Sequence, residues 1–98
     1  MPERDRIVNR LRAREQELRA RGVCRLALIG STARGEVTAQ DIDVLVDIDP
    51  KHPFSLVDHS GLSLYLGDIL ECATDVVVRE SLTPPEQART GRDEVSVF

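Results

Sequence analysis

Between Arg4 and Arg21 the apolar residues Ile7, Leu11 and Leu18, with Val8 beside Ile7, recur at helical spacing, and Gly22 follows as a stop signal. This pattern predicts an amphipathic helix. The apolar run VCRLALI at 23–29 ends at a glycine and reads as a largely buried strand. Residues 31–36 read as a brief helix, with Ser31 available to cap its first turn. From 41 to 48 the segment DIDVLVDI alternates, so Ile42, Val44, Val46 and Ile48 share one face of a second strand. Asp41, Asp43, Leu45 and Asp47 share the other.

After Pro50 and Pro53, the stretch FSLVDHSGLSLYLGDILEC carries Leu56, Val57, Leu62, Leu66, Ile69 and Leu70, which predicts a second amphipathic helix interrupted or bent near Gly61. TDVVVR at 74–79 is a third strand. Pro84 and Pro85 break the chain before a short helical EQAR segment, and the terminal EVSVF reads as an edge strand or a docking tail. About a dozen residues separate the first two strands, which suits an antiparallel pair joined by the small helix. The longer helical crossover between strands two and three suits a parallel βαβ unit. The expected fold is therefore α+β: a single domain over residues 1–98, ordered α-β-α-β-α-β, with helices packed on a small mixed sheet. In that arrangement Gly30, Asp41 and Asp75 fall at the same edge of the sheet.

Composition narrows the function classes. The chain is 41% hydrophobic with only three aromatic residues, Phe54, Tyr65 and Phe98, too few for a nucleic-acid binder that works by stacking. Residues 1–25 carry eight Arg against four acids, but helical spacing interleaves the two, which describes a solvated helix face better than a nucleic-acid patch. Residues 36–75 carry nine acids against Lys51 alone, and such a middle repels phosphates unless cations intervene. Cys24 and Cys72 lie in apolar segments without metal-ligand spacing and read as small buried hydrophobes. His52 and His59 read as surface histidines, and Tyr65 as packing with its hydroxyl at the helix surface. The start MPERDRIVNR has no signal-peptide character and the longest apolar run, LALI, is too short for a bilayer, so a cytoplasmic protein without membrane or direct nucleic-acid partners is expected.

The chemistry concentrates in LALIGSTARGEVTAQDIDVLVDIDP, residues 26–50. Asp41 and Asp43, two apart on a strand, point to one face, and Asp75 arrives from the neighbouring strand. Three such acids repel one another unless divalent cations hold them, and Mg2+ is usually bound by one or two carboxylates together with waters and substrate phosphates. Gly30 allows close approach of a ligand to the backbone, and the helix start at 31–33 offers free N–H groups and the Ser31 hydroxyl to a phosphate. The spacing of Gly30 and Gly35 mimics a P-loop, but Glu36 and Val37 stand where that motif requires Lys and Ser or Thr, which excludes a Walker-type NTPase. Arg34 is able to pair with a phosphate oxygen or to hold the turn to a nearby carboxylate. Asp47 and Asp49 run on toward the far end of the strand and are expected at the solvated surface.

The turn GSTARG at 30–35, the pair Asp41-Ile42-Asp43 and the later strand Asp75 resemble the minimal nucleotidyltransferases (MNT) of the polymerase-beta superfamily, the antitoxin partners of HEPN toxins. The resemblance spans residues 23–79. It implies a nucleotidyltransferase fold, with Gly30 and Ser31 on the nucleotide phosphates. It also implies Asp41, Asp43 and Asp75 as ligands of two Mg2+ ions, Asp75 serving as general base as well. Gln40 departs from the family, which often has Ser there. The activity implied is transfer of AMP from ATP to a tyrosine hydroxyl of a cognate HEPN ribonuclease toxin, within a hetero-oligomer. The alternative is an antitoxin that neutralises by binding alone. Transfer to a small molecule such as an aminoglycoside fits less well, because larger family members carry an added domain for that acceptor.

Overall fold

The computed structural model describes residues 3–35 and 41–98. Glu36, Val37 and Gln40 lie outside the described residues.

The N-terminal periodicity forms two helices, α1 (Glu3–Arg12) and α2 (Glu15–Ala20), where a single one is predicted. The Arg14 N–H donates to the Leu11 carbonyl three residues back, tightening the chain at the break. The break lets α1 pack on the long central helix while α2 turns onto the first strand. Ile7, Leu11 and Leu18 all still reach the core, and Leu11 and Leu18 are fully buried.

Strand β1 (Val23–Leu28) leads into the four-residue helix α3 (Gly30–Ala33), and β2 (Asp41–Ile48) has the predicted bounds. A 15-residue helix, α4 (Leu56–Leu70), crosses to β3 (Ala73–Val78). α4 runs through Gly61 without the interruption that the sequence offers there. Its register is secured by a capping box in which Ser55 accepts from the Asp58 N–H and Asp58 accepts from the Ser55 N–H. A 3-10 turn at Arg79–Ser81 follows, then α5 (Pro84–Gly91) and the two-residue strand β4 (Val95–Ser96). Pro84 opens α5 instead of preceding it: Thr83 caps the helix, and a proline in the first turn loses no helical hydrogen bond.

The sheet order is β3-β2-β1-β4, with β1 antiparallel to both its neighbours and β2 parallel to β3, as the connection lengths require. Leu26, Leu28, Val44, Val46 and Val76 meet Leu11, Leu18, Leu62 and Leu66 in one core, so α1, α2 and α4 cover one face of the sheet. Alternation then turns Asp41, Asp43, Asp47 and Asp75 to the other face. The C-terminal segment, offered by the sequence as strand or tail, is a strand. Val97 is buried, its N–H donates to the Leu26 carbonyl, and its own carbonyl accepts from Arg12 Nε at 2.8 Å.

Three expectations about single side chains change. Asp47 is not a solvated surface residue: Arg79 Nε donates to its Oδ1 at 2.7 Å and Arg79 Nη2 donates to Glu94 at 2.8 Å, pinning the C-terminal segment to β2. Cys24 and Cys72 form no disulfide and are half-buried rather than buried, and Cys24 Sγ donates to the Asp47 carbonyl. The histidines are half-buried too, His59 through a bond between Nε2 and the Val76 carbonyl. The Tyr65 hydroxyl donates to Glu17, and the Arg21 guanidinium lies 4.3 Å from its ring centre, so this residue ties α4 to α2. Among the described residues no helix is long and apolar enough to cross a membrane.

Candidate active site

Where β1 ends, the Ile29 N–H donates to the Asp43 carbonyl, the last rung of that ladder, and the chain then turns at Gly30. Gly30 has φ +63°, in the left-handed region that glycine enters without penalty. A Cβ built there would stand 3.5 Å from Asp43 Oδ2, so the turn lies directly against that carboxylate. The first helical residue of α3 is Gly30, with Ile29 at the N-cap position and no side-chain cap. Ser31 is therefore inside the helix rather than capping it, half-buried, and its N–H belongs to the first turn, which no helical carbonyl satisfies.

The turn is braced from two sides. Arg4 Nη1, on α1, donates to the Ala33 carbonyl at 2.9 Å and thereby satisfies the C-terminal end of α3. Arg34 Nη1 donates to Asp93 Oδ2, also at 2.9 Å. Of the two roles open to Arg34, the structure displays the bond to a carboxylate. Neither Arg4 nor Asp93 was legible in the sequence, because each stands far along the chain from the turn it holds.

Asp43 and Asp75 are register partners in the parallel β2–β3 ladder, and Asp41 pairs with Ala73 one step nearer the turn end. Adjacent strands lie about 4.8 Å apart and alternate residues about 6.6 Å, so the three carboxylates occupy one patch of one face. Asp41 and Asp75 are exposed and Asp43 is half-buried. Burial first, then the charges of Asp75 and Asp41, push the Asp43 carboxyl above its usual range. Among the described residues no three His, Cys, Asp or Glu side chains are drawn together closely enough to hold a metal ion as they stand. Like charges on one face repel, and the raised Asp43 carboxyl registers that repulsion on top of its burial. The donor set is nonetheless all hard oxygen, on one face, beside a turn that offers N–H groups, which suits Mg2+ and not a softer metal.

Together these features make an α+β domain with a glycine turn beside a patch of carboxylates at one end of its mixed sheet. The family profile for the nucleotidyltransferase domain matches residues 5–96, and the chain belongs to that family. A candidate protein adenylyltransferase of Methanocaldococcus jannaschii is 38% identical over 77 residues, 76% of either chain. A solved structure of a candidate minimal nucleotidyltransferase, 30% identical, superposes with a TM-score of 0.69 over 90% of this chain and 93% of that one. A chain from the complex of a tri-AMPylated Shewanella oneidensis HEPN toxin with its MNT antitoxin shares the fold, with a TM-score of 0.70 at 16% identity over 97% of this chain and 71% of its own.

Proposed function

We propose that this nucleotidyltransferase transfers AMP from ATP to a tyrosine hydroxyl of a cognate HEPN ribonuclease toxin and so acts as an antitoxin. The observation that carries the reading is the contact of the Gly30 turn with Asp43, which itself faces Asp75 across the β2–β3 ladder. The adenylyltransferase relative and the fold shared with a complex containing an AMPylated toxin support the choice of nucleotide and acceptor.

In this reading the N–H groups of the first α3 turn and the Ser31 hydroxyl receive the nucleotide phosphates, and Arg34 adds charge if it leaves Asp93. Asp41, Asp43 and Asp75 would hold two Mg2+ ions, which supply the positive charge that an acidic face lacks. Asp75, on the outer strand, accepts the proton of the incoming hydroxyl. That oxygen bonds to the α-phosphorus while the bond to the β-phosphate oxygen breaks, and pyrophosphate leaves. The chain's own contribution is placement of the reactants and an electrostatic site prepared in advance.

The test is intact-mass measurement of the purified HEPN partner after incubation with ATP and Mg2+. An adenylyl increment that disappears with Asp41→Asn or Asp43→Asn is expected. A tight complex with no increment would establish neutralisation by binding alone.

A further inference from the structure

The helix α4 is apolar on more than the face it buries. Leu62, Leu66 and Leu70 face the sheet, yet Leu56, Val57 and Leu64 are 86%, 79% and 73% exposed. Leu56, Ser60 and Leu64 follow at i, i+4, i+8 and form one ridge of the helix. A helix apolar on both faces is ordinarily covered on both, and clustered exposed aliphatics mark an interaction surface. At Leu56 this ridge enters a groove of about 530 Å3 that crosses the outer edge of the sheet past His59 and Val76 to Val77. Val77 lies two residues beyond Asp75 on β3 and, by alternation, on the same face as it.

β3 is an edge strand, and side chains already engage carbonyls along it. The alternate carbonyls of Thr74, Val76 and Val78 already accept from Ser63 Oγ, His59 Nε2 and Ser81 Oγ respectively. What remains open there is apolar side-chain surface, which suits a helix laid against α4 and not a strand laid against β3. Asp58 and Asp68 on α4 and Glu80 beyond β3, all exposed, flank this surface and favour basic residues around an apolar centre.

We infer that the outer face of α4 and the β3-edge groove seat the acceptor protein, through an apolar helix bordered by Lys or Arg. The inference rests on the proposed function and adds to it the direction of approach. The Gly30 turn holds the nucleotide from the β1 side of Asp43, so an acceptor seated at the β3 edge presents its hydroxyl across Asp75, from the side opposite the nucleotide. A second copy of the chain on this face would block that approach.

The test compares the full chain with Leu56→Glu/Leu64→Glu, binding each to the purified HEPN partner by calorimetry and measuring ATP binding, melting temperature and the mass of the chain alone in solution. Both side chains are largely exposed, so an unchanged melting temperature and ATP affinity are expected, with partner affinity falling at least tenfold. Unchanged partner affinity overturns the inference. So does a parent dimer that the variant dissolves without loss of partner binding, which would make the face a contact between copies. If the parent binds the partner through this face but adds no adenylyl group, the docking surface stands and the transfer reading falls. If the parent does not bind the partner at all, both fall.

Discussion

Asp43 faces Asp75 directly across the parallel β2–β3 ladder, and the Gly30 turn presses against Asp43 from the other side. Asp43 is thus the carboxylate that burial and two like-charged neighbours act on together, and its carboxyl is raised accordingly. A group whose folded value is raised contributes its stability below the unfolded value, and loses it as pH climbs through the folded one. At neutral pH the ionised Asp43 therefore opposes folding. In EDTA, Asp43→Asn should match the parent's melting temperature near the ordinary Asp value of about pH 3.9 and exceed it at pH 7. The same variant should lose at least ~100-fold in transfer rate, the scale expected when one part of an electrostatic site is removed. A lower melting temperature at pH 7 would show that Asp43 stabilises the fold instead.

Gly30 can be tested apart from the acids. At φ +63° an alanine strains the backbone by about 1 kcal/mol, while its Cβ would meet Asp43 Oδ2 at ordinary contact distance, 3.5 Å. Gly30→Ala should consequently fold with a modest loss of stability, seen in urea titration. Its affinity for ATP should fall more steeply, at least tenfold by calorimetry, because the methyl group occupies the space between turn and carboxylate. Equal losses in the two measurements would mean that the turn matters to the fold alone.

Arg79 joins Asp47 of β2 to Glu94 of the C-terminal segment through two short charged hydrogen bonds, and all three side chains are partly buried. Removing the guanidinium leaves two carboxylates facing one another, so Arg79→Ala should cost about 2 kcal/mol, less than breaking a deeply buried pair costs. Arg79→Lys keeps the charge but cannot reach both acids in the same geometry, and should fall between the two. Chemical denaturation of the three proteins reads this order directly.

The alternation of DIDVLVDI placed β2 at its observed bounds and turned its three acids to one face and Ile42, Val44, Val46 and Ile48 to the other, because a period of two needs only a few residues to show. The lengths of the two connections were enough to orient β1 against β2 and β2 along β3. The pairing of Asp43 with Asp75 follows from that orientation once the register is seen. Other features depend on contacts far apart in the chain. Asp47 meets Arg79 32 residues on, and Arg34 meets Asp93 59 residues on, so nothing local distinguishes these acids from solvated ones. The break between α1 and α2 carries no proline or glycine signal and lets α1 pack on α4 while α2 packs on β1. Gly61 reads as a helix breaker by propensity, but the capping box at Ser55 and the burial of Leu62, Leu66 and Leu70 override one weak residue.

The end of the chain carries the last prediction. The terminal EVSVF, which the sequence offers as an edge strand or a docking tail, is woven into the fold: Val95 and Ser96 pair with Leu28 and Ala27, and Val97 is 3% exposed. Arg12 holds the Val97 carbonyl, Asp93 holds Arg34 of the glycine turn, and Glu94 holds Arg79. Deleting residues 94–98 removes a buried valine, an edge strand and one arm of the Arg79 network at once, each of which costs on the order of 1 kcal/mol or more. The truncated chain should melt well below the parent and lose ATP and partner binding in parallel. By contrast Val97→Ala, which keeps the backbone bonds, should lower stability by about 2 kcal/mol while leaving ATP affinity in the surviving folded protein unchanged. A truncation that retained the parent's melting temperature and ATP affinity while losing only its partner would restore the docking-tail reading of this segment and move the acceptor's seat from α4 to β4.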